Sequence, residues 1–376
     1  MAASLYLGLI SGTSADGIDA ALVRFAPRLE VIGARTSPYP ASLRERILAL
    51  ATSNASIALD DYGALDVEIG ECFAAAALSL VQETGIDRAD IAAIGSHGQT
   101  VRHRPAGAHP FTLQIGDPSV IAEQTRIATI ADFRRADVAA GGQGAPLLPA
   151  LHAALFSSPS ATRVILNLGG IANITILAPG RDVLGFDTGP ANCLLDAWAL
   201  RHLGKTRDDG GAWAESGSVD PVLLKAWLDD PYFAAAPPKS TGREYFHLDW
   251  LDARIRGEQP ANVQATLLAL SASSIADAIR AHAPDTREVF ACGGGVHNAA
   301  LMRALAERLA PASVSTTATL GLDPDYVEAT GFAWLASARL EGRPGNLPAV
   351  TGARGSRMLG AIYPAPIAAV AAPTAR

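Results

Sequence analysis

Three stretches of the chain set small residues beside acids in a way that suits phosphate and sugar chemistry. In Ser11-Gly12-Thr13-Ser14-Ala15-Asp16-Gly17-Ile18-Asp19, the side chains are small enough for backbone N–H groups and hydroxyls to approach a phosphate. Asp16 and Asp19 could hold a hydrated Mg2+ there, directly or through water, because that ion takes few protein ligands. The same segment is equally a polar surface turn with two solvated aspartates. Asp187 follows an apolar run and precedes Gly189-Pro190, a place in an α/β chain where a carboxylate can take a proton from an attacking nucleophile. Its competing reading is a capping or turn aspartate, a role that Thr188 and Asn192 fill as well. In Cys292-Gly293-Gly294-Gly295 a strand empties into three glycines before a helix, which gives room for a flat ring or a phosphate.

Further polar groups gather elsewhere. Ser96-His97-Gly98-Gln99-Thr100, with Arg102 and His103, suits a sugar-hydroxyl or anion site. A lone histidine is more often structural than catalytic, and no nucleophile elbow partners His97 for a hydrolase triad. Arg134, Arg135 and the run Ala139 to Pro146, which contains Gln143, read as a substrate-contacting loop or as a linker. Lys239-Ser240-Thr241-Gly242-Arg243-Glu244 is open to a binding or a solvated reading. Gly204-Lys205-Thr206 ends like a nucleotide-binding P-loop, but Ala199 stands where that motif needs glycine and a helical pattern replaces the preceding strand.

Periodicity supplies the elements that must position these groups. Runs over 5–10, 18–25 and 29–34 predict a β-hairpin extended into a meander, and helical spacing covers 41–50 and 59–83. A buried-type strand over 91–95 ends in Ser96-His97-Gly98, and strand-like 112–115 and 127–130 precede the glycine-rich loop 139–144. Beyond Ser157-Ser158-Pro159-Ser160 the second half opens in the same way, with strands over 164–168, 174–177 and 183–186 and a helix over 191–203. A helix over 263–282, a strand over 288–291 and helices over 298–309 and 325–340 follow, and the Pro/Ala-rich tail after Tyr363 reads as loose. Two related α/β domains facing one another are expected, residues 1–158 and 159–376, the last helix free to pack back on the first, with the site in the cleft between them.

Composition narrows the chemistry. The 376 residues include 35 glycines and carry a net charge of −7 without a basic block, so no nucleic-acid groove is expected. Three cysteines without a CxxC pair argue against a disulfide framework or a zinc site. No positively charged leader and no run near the roughly 18 apolar residues of a membrane span is present. A cytoplasmic protein with small-molecule partners and no membrane partner is expected. Lysine occurs only at 205, 225 and 239 among 30 Lys+Arg, so phosphate handling would rest on glycine amides, arginine and a metal.

Taken in order, these motifs resemble the 1,6-anhydro-N-acetylmuramic acid kinase family, a branch of the superfamily of sugar kinases, heat-shock chaperone ATPases and actin. The resemblance rests on Gly8 to Asp19, Ser96 to Thr100, Gln114-Ile115-Gly116-Asp117, Asp132-Phe133-Arg134 through Leu147, Asn167 to Asn173, Gly185 to Pro190, Lys239 to Glu244, Cys292 to Gly295, and Glu328-Ala329 with Phe332-Ala333. It implies two actin/hexokinase-like, ribonuclease H-like domains with ATP and Mg2+ in an interdomain cleft. It places Gly12, Thr13, Ser14, Ala15, Asp16, Gly17, Ile18 and Asp19 in the first phosphate loop, Asp187 as the catalytic aspartate, and Gly293, Gly294 and Gly295 on the adenosine side. The amino sugar would meet His97, Arg134, Gln143 and Glu328, with Arg134 or His97 on its lactyl carboxylate. In the implied reaction water opens the 1,6-anhydro ring while O6 receives the γ-phosphate, giving N-acetylmuramate 6-phosphate and ADP in peptidoglycan recycling, in a cytoplasmic homodimer. Two positions depart from the family pattern: Ala191 replaces a second glycine after Gly-Pro, and Gly331 replaces an alanine. The rival readings are another sugar kinase with different substrate loops and a nucleotide-driven, chaperone-like switch.

Overall fold

A computed structural model describes residues 4–12, 14–51 and 56–367. Thr13, expected in the phosphate loop, and positions 368–376 of the expected loose tail lie outside the described residues. Along the chain the elements are β1 (Leu5–Ser11), β2 (Ile18–Arg24), β3 (Glu30–Ser37), α1 (Ala41–Ala51), α2 (Leu59–Thr84), β4 (Ile91–Arg104), β5 (Phe111–Ile115), α3 (Pro118–Thr125), β6 (Thr129–Ala131), α4 (Arg135–Ala139) and α5 (Pro149–Phe156). They continue as β7 (Arg163–Leu168), β8 (Ile171–Leu177), β9 (Leu184–Pro190), α6 (Asn192–Leu203), α7 (Ala212–Ser216), α8 (Pro221–Leu228), α9 (Pro231–Ala234), α10 (Leu248–Asp252) and α11 (Pro260–His282). The last are β10 (Glu288–Cys292), α12 (Ala299–Leu309), β11 (Ser313–Thr316), α13 (Val327–Leu340), α14 (Pro348–Thr351) and β12 (Ala361–Tyr363).

The chain divides into two compact units, Met1–Ala145 with Glu328–Asn346 and Ala353–Arg376, and Pro146–Val327 with Leu347–Gly352. The division therefore falls ahead of the Ser157–Ser160 stretch. Helix α5 sits in the second unit because it packs against β8, while all of α13 after Val327 joins the first.

Each unit carries its own mixed sheet, and the two sheets share one plan. In the first, the order is β12-β6-β4-β1-β2-β3, with β5 pairing β4; in the second it is β11-β10-β7-β8-β9. Strands β1, β2 and β3 form an antiparallel meander, and β4 and β6 add to it in parallel. Strands β7, β8 and β9 repeat the meander, and β10 and β11 repeat the parallel additions. Three meander strands followed by helical crossovers to parallel strands make each unit an α/β domain of ribonuclease H-like, actin/hexokinase-like topology.

Strand β4 differs from the sequence expectation. It runs to Arg104, so His97 lies inside a strand and not in a loop beyond one. The cause is β5, which pairs antiparallel with Gln99–Arg104 and supplies partners to a polar segment that periodicity alone would leave unpaired.

Strand β1 is buried along its whole length, as a strand covered on both faces must be. Helix α2 covers one side through Leu65, Ile69 and Phe73, in one apolar cluster with Leu7, Leu9 and Ile94. Helix α13 approaches so closely that a Cβ on Gly8 would stand 1.8 Å from the Ala329 carbonyl oxygen, and one on Gly95 2.0 Å from that of Phe332. Glycine at both positions is thus a packing requirement. Gly95→Ala is expected to lower the free energy of unfolding by about 3 kcal/mol in urea denaturation, whereas Gly63→Ala on the exposed face of α2, where an added Cβ meets nothing within 4 Å, should stabilise by up to about 1 kcal/mol.

Candidate active site

In the second unit Asp187 lies in β9, where the register between β8 and β9 shifts at Ala172/Asn173. Its backbone N–H donates to the Lys239 carbonyl at 3.2 Å, and its own carbonyl accepts the Tyr232 hydroxyl at 2.7 Å. The carboxylate accepts the Thr241 N–H at 3.0 Å. Lys239 is fixed in turn, its Nζ donating to the Tyr232 and Phe233 carbonyls at 3.1 and 3.2 Å and lying 4.7 Å from the centre of the Tyr232 ring. Burial pushes the Asp187 carboxyl up to about 7, opposed by the Thr241 amide, reinforced by Glu244 and opposed again by Lys239. Lys239 itself is lowered, by burial first. Between roughly pH 4 and 7 the folded chain keeps a proton on Asp187 that the unfolded chain releases, so this group's contribution to stability falls as pH rises through that window. A carboxyl that titrates near neutrality is suited to general-base work.

The loop 239–244, which the sequence left open, is therefore what holds Asp187. It also reaches the Gly169-Gly170 turn, where a Cβ on Gly170 would stand 3.4 Å from Arg243 Nε. Gly293 to Gly295 pack on the same turn from the end of β10. A Cβ on Gly293 (φ +80°) would fall 2.5 Å from Asn167 Oδ1, and one on Gly295 2.6 Å from the Leu168 Cβ, while Gly294 faces open space. Asn192 closes the group by donating from Nδ2 to the Leu168 and Gly169 carbonyls at 2.9 and 2.7 Å. Ala191, where the family pattern has a second glycine, is fully buried, and its N–H donates to the Gly170 carbonyl at 3.0 Å. Gly331 lies buried within α13.

In the first unit the turn after β1 is pinned from behind. Gln99 Nε2 donates to the Gly12 carbonyl at 3.1 Å, and Arg44 donates to the Ser14 and Ala15 carbonyls at 3.2 and 3.1 Å. Gly12 is exposed, and an added Cβ there would meet the Ser14 Oγ at 3.9 Å, whereas Ala15, Gly17 and Ile18 are buried. The Ile18 side chain thus belongs to the apolar core. The two aspartates differ: Asp16 is ion-paired with Arg44 at 2.7 Å, and Asp19 accepts the Thr36 hydroxyl at 2.6 Å.

The same unit assembles the residues expected to meet a sugar. Arg134 Nε donates to His97 Nε2 at 2.9 Å and its Nη1 to the Gly144 carbonyl at 2.7 Å. Guanidinium nitrogen only donates, so His97 Nε2 is an acceptor and the ring proton sits on Nδ1, facing the Gly98 carbonyl at 3.0 Å. Burial and then the Arg134 charge hold His97 well below its usual pKa. His97 is neutral and positions Arg134, which keeps its charge although burial pulls it down to about 10. Of the two residues expected to meet a carboxylate, Arg134 is the cation. Glu328 attracts it electrostatically, and the Gln143 backbone hydrogen-bonds His103. The loop 139–144 is locked by buried Asp137, which accepts the Gly144 N–H at 2.7 Å and the Asn346 amide at 2.6 Å; a Cβ on Gly142 would collide with it at 2.2 Å.

Because Lys239 opposes the upward shift, Lys239→Met should move the ionisation midpoint of Asp187 above about 7. Carbon-detected NMR titration of the Asp187 carboxyl reads this directly.

The family model described as anhydro-N-acetylmuramic acid kinase matches residues 4–365. A protein of that name from Xanthomonas axonopodis pv. citri is 56% identical over 370 residues, covering 96% of this chain and 98% of its own. Its namesakes from Xylella fastidiosa and Coxiella burnetii are 54% identical over 369 residues and 50% identical over 362, covering 96% and 95% of this chain and 97% of each of theirs. With the repeated ribonuclease H-like plan and a near-neutral aspartate on β9, a match spanning both units shows that the chain belongs to the anhydro-N-acetylmuramic acid kinase family.

Proposed function

We propose that the chain uses ATP and water to convert 1,6-anhydro-N-acetylmuramic acid into N-acetylmuramate 6-phosphate and ADP, in the recycling of cell-wall sugar. The observation that carries this reading is the half-buried Asp187 carboxyl, held near neutrality by burial and aimed by the Thr241 amide. As base, Asp187 takes a proton from water while the water oxygen bonds to C1, and the C1–O6 bond breaks. The released O6 attacks the γ-phosphorus, the bond to the departing ADP oxygen breaks, and the proton on Asp187 returns to solvent. Arg134 is assigned to the lactyl carboxylate, since a buried guanidinium pairs strongly with a carboxylate. His97 orients Arg134, and Gln143 and Glu328 are assigned to the sugar.

The amides of the Gly12–Gly17 turn and the Gly293–Gly295 turn are assigned to the nucleotide. Asp16 and Asp19 are the carboxylates proposed to hold a hydrated Mg2+, which when bound neutralises phosphate charge. The reading includes a cytoplasmic homodimer. No helix among the described residues is long and apolar enough to cross a membrane, and light scattering in solution measures the subunit number.

Asp187→Asn should cut turnover about a thousand-fold in a coupled ADP-release assay with the anhydro-sugar, while calorimetric ATP binding and the unfolding midpoint at pH 8 are kept. Retained turnover contradicts the assignment. Product mass should show addition of both water and phosphate; phosphate alone would mean an ordinary sugar kinase.

A further inference from the structure

Asp230 is a buried carboxylate of the second unit that the reaction as described leaves unused. Its side chain is 1% exposed, and it collects four donors from successive pieces of that unit. Oδ1 accepts the Tyr232 N–H, at the start of α9, at 3.0 Å and the Tyr245 hydroxyl at 2.8 Å. Oδ2 accepts Trp250 Nε1, on α10, at 3.0 Å and Arg254 Nη2 at 3.1 Å. Burial works against the charge, but the Trp250, Tyr232 and Tyr245 donors with Arg254 outweigh it and hold the carboxyl below its usual range. Capping α9 needs only one acceptor, which a neutral side chain supplies as well. A buried charge is costly unless it is paired and hydrogen-bonded, so keeping one here asks for a role beyond the cap.

Two of the four donors bracket the loop that holds Asp187. Tyr232 anchors its first residue: the Tyr232 carbonyl accepts from Lys239 Nζ, and the Tyr232 hydroxyl donates to the Asp187 carbonyl. Tyr245 directly follows its last residue, Glu244. The Tyr245 N–H turns back to the Gly242 carbonyl at 3.1 Å, and its ring centre lies 5.8 Å from that of Tyr232. Thr241, whose N–H reaches the Asp187 carboxylate, sits between these two ends. Both ends thus close on the same carboxylate, and the ring of contacts sets where the Thr241 donor stands. Hydrogen bonds weaken steeply as distance and angle open, so loosening either end weakens the amide bond that favours the Asp187 charge.

We propose that Asp230 is a positioning residue for the reaction: acting through Tyr232 and Tyr245, it fixes the loop 239–244 so that Thr241 and Lys239 meet Asp187. The proposal rests on the reading of Asp187 as the base. The groups that face Asp187 are the Thr241 amide, Glu244, Lys239 and Tyr232, and His282 on α11 faces Lys239. Asp230 does not figure among them, so its effect travels through the two tyrosines.

The test is the ionisation midpoint of Asp187, read by carbon-detected NMR of the full chain, in Asp230→Asn and in Tyr245→Phe. Asparagine leaves one acceptor for four donors. Phenylalanine keeps the exposed ring of Tyr245 and removes only the hydroxyl, and it serves alone should the first variant fail to fold. Both should raise the midpoint, Asp230→Asn by about half a pH unit or more, and should carry the rising limb of kcat/KM for the anhydro-sugar to higher pH. Leu309→Ala, a core substitution in α12, should lower the unfolding midpoint and leave the Asp187 midpoint in place. Unchanged midpoints in the folded variants, a fall such as loss of a nearby negative charge alone would cause, or an equal rise in Leu309→Ala would overturn the proposal. The NMR readout needs no turnover: absence of anhydro-sugar-dependent ADP release from the unsubstituted chain overturns the proposed function, whereas the midpoints decide the role of Asp230.

Discussion

Taking the Asp187 carboxylate out of water is the cost around which the second unit is organised. Burial alone disfavours its charge, and one backbone amide from Thr241, with the Lys239 ammonium nearby, returns enough to leave the group balanced near neutrality. That balance depends on the loop 239–244 staying in register with β9, which the Asp187 N–H to Lys239 carbonyl bond and the Tyr232 hydroxyl enforce from both sides of the residue. A carboxylate left in water would titrate near 4 and would be a weak base at pH 7; one buried without the amide would stay protonated. The placement of Lys239 makes sense in these terms. Its charge tunes an acid, and it is itself anchored on two carbonyls.

The first unit solves the opposite problem, keeping a cation in a buried place. Arg134 spreads its donors over a neutral histidine and a carbonyl, neither of which neutralises its charge. Asp137 is spent on the loop amide and Asn346, so it fixes the loop's shape. The scarcity of lysine fits here too: a planar guanidinium can hold His97 and Gly144 while facing a carboxylate, and a point ammonium cannot do so with the same geometry.

Much of this was legible in the chain. The doubled meander follows from alternating apolar runs that each half repeats, and Asp187 stands out because an apolar run ends beside it. What sequence spacing missed is long-range. The Thr241 amide is 54 residues from Asp187, and the neutrality of His97 depends on a guanidinium 37 residues away, so no local pattern could tell that His97 accepts where it might have carried charge. The resemblance counts Ile18 with the phosphate loop, and strand alternation turns its side chain into the core. The short helices α3, α8 and α9 escaped a periodicity reading because none is longer than eight residues, although Asp117-Pro118, Asp220-Pro221 and Asp230-Pro231 place an N-cap carboxylate before proline at the first helical position.

The pH dependence of kcat/KM for the anhydro-sugar in ADP release, measured between pH 5 and 9, bears most directly on the role of Asp187. Only its ionised form can accept a proton, so kcat/KM should rise through a single limb with a midpoint near 7 and then level off. A flat profile, or a limb near pH 4, would contradict a base held near neutrality by burial.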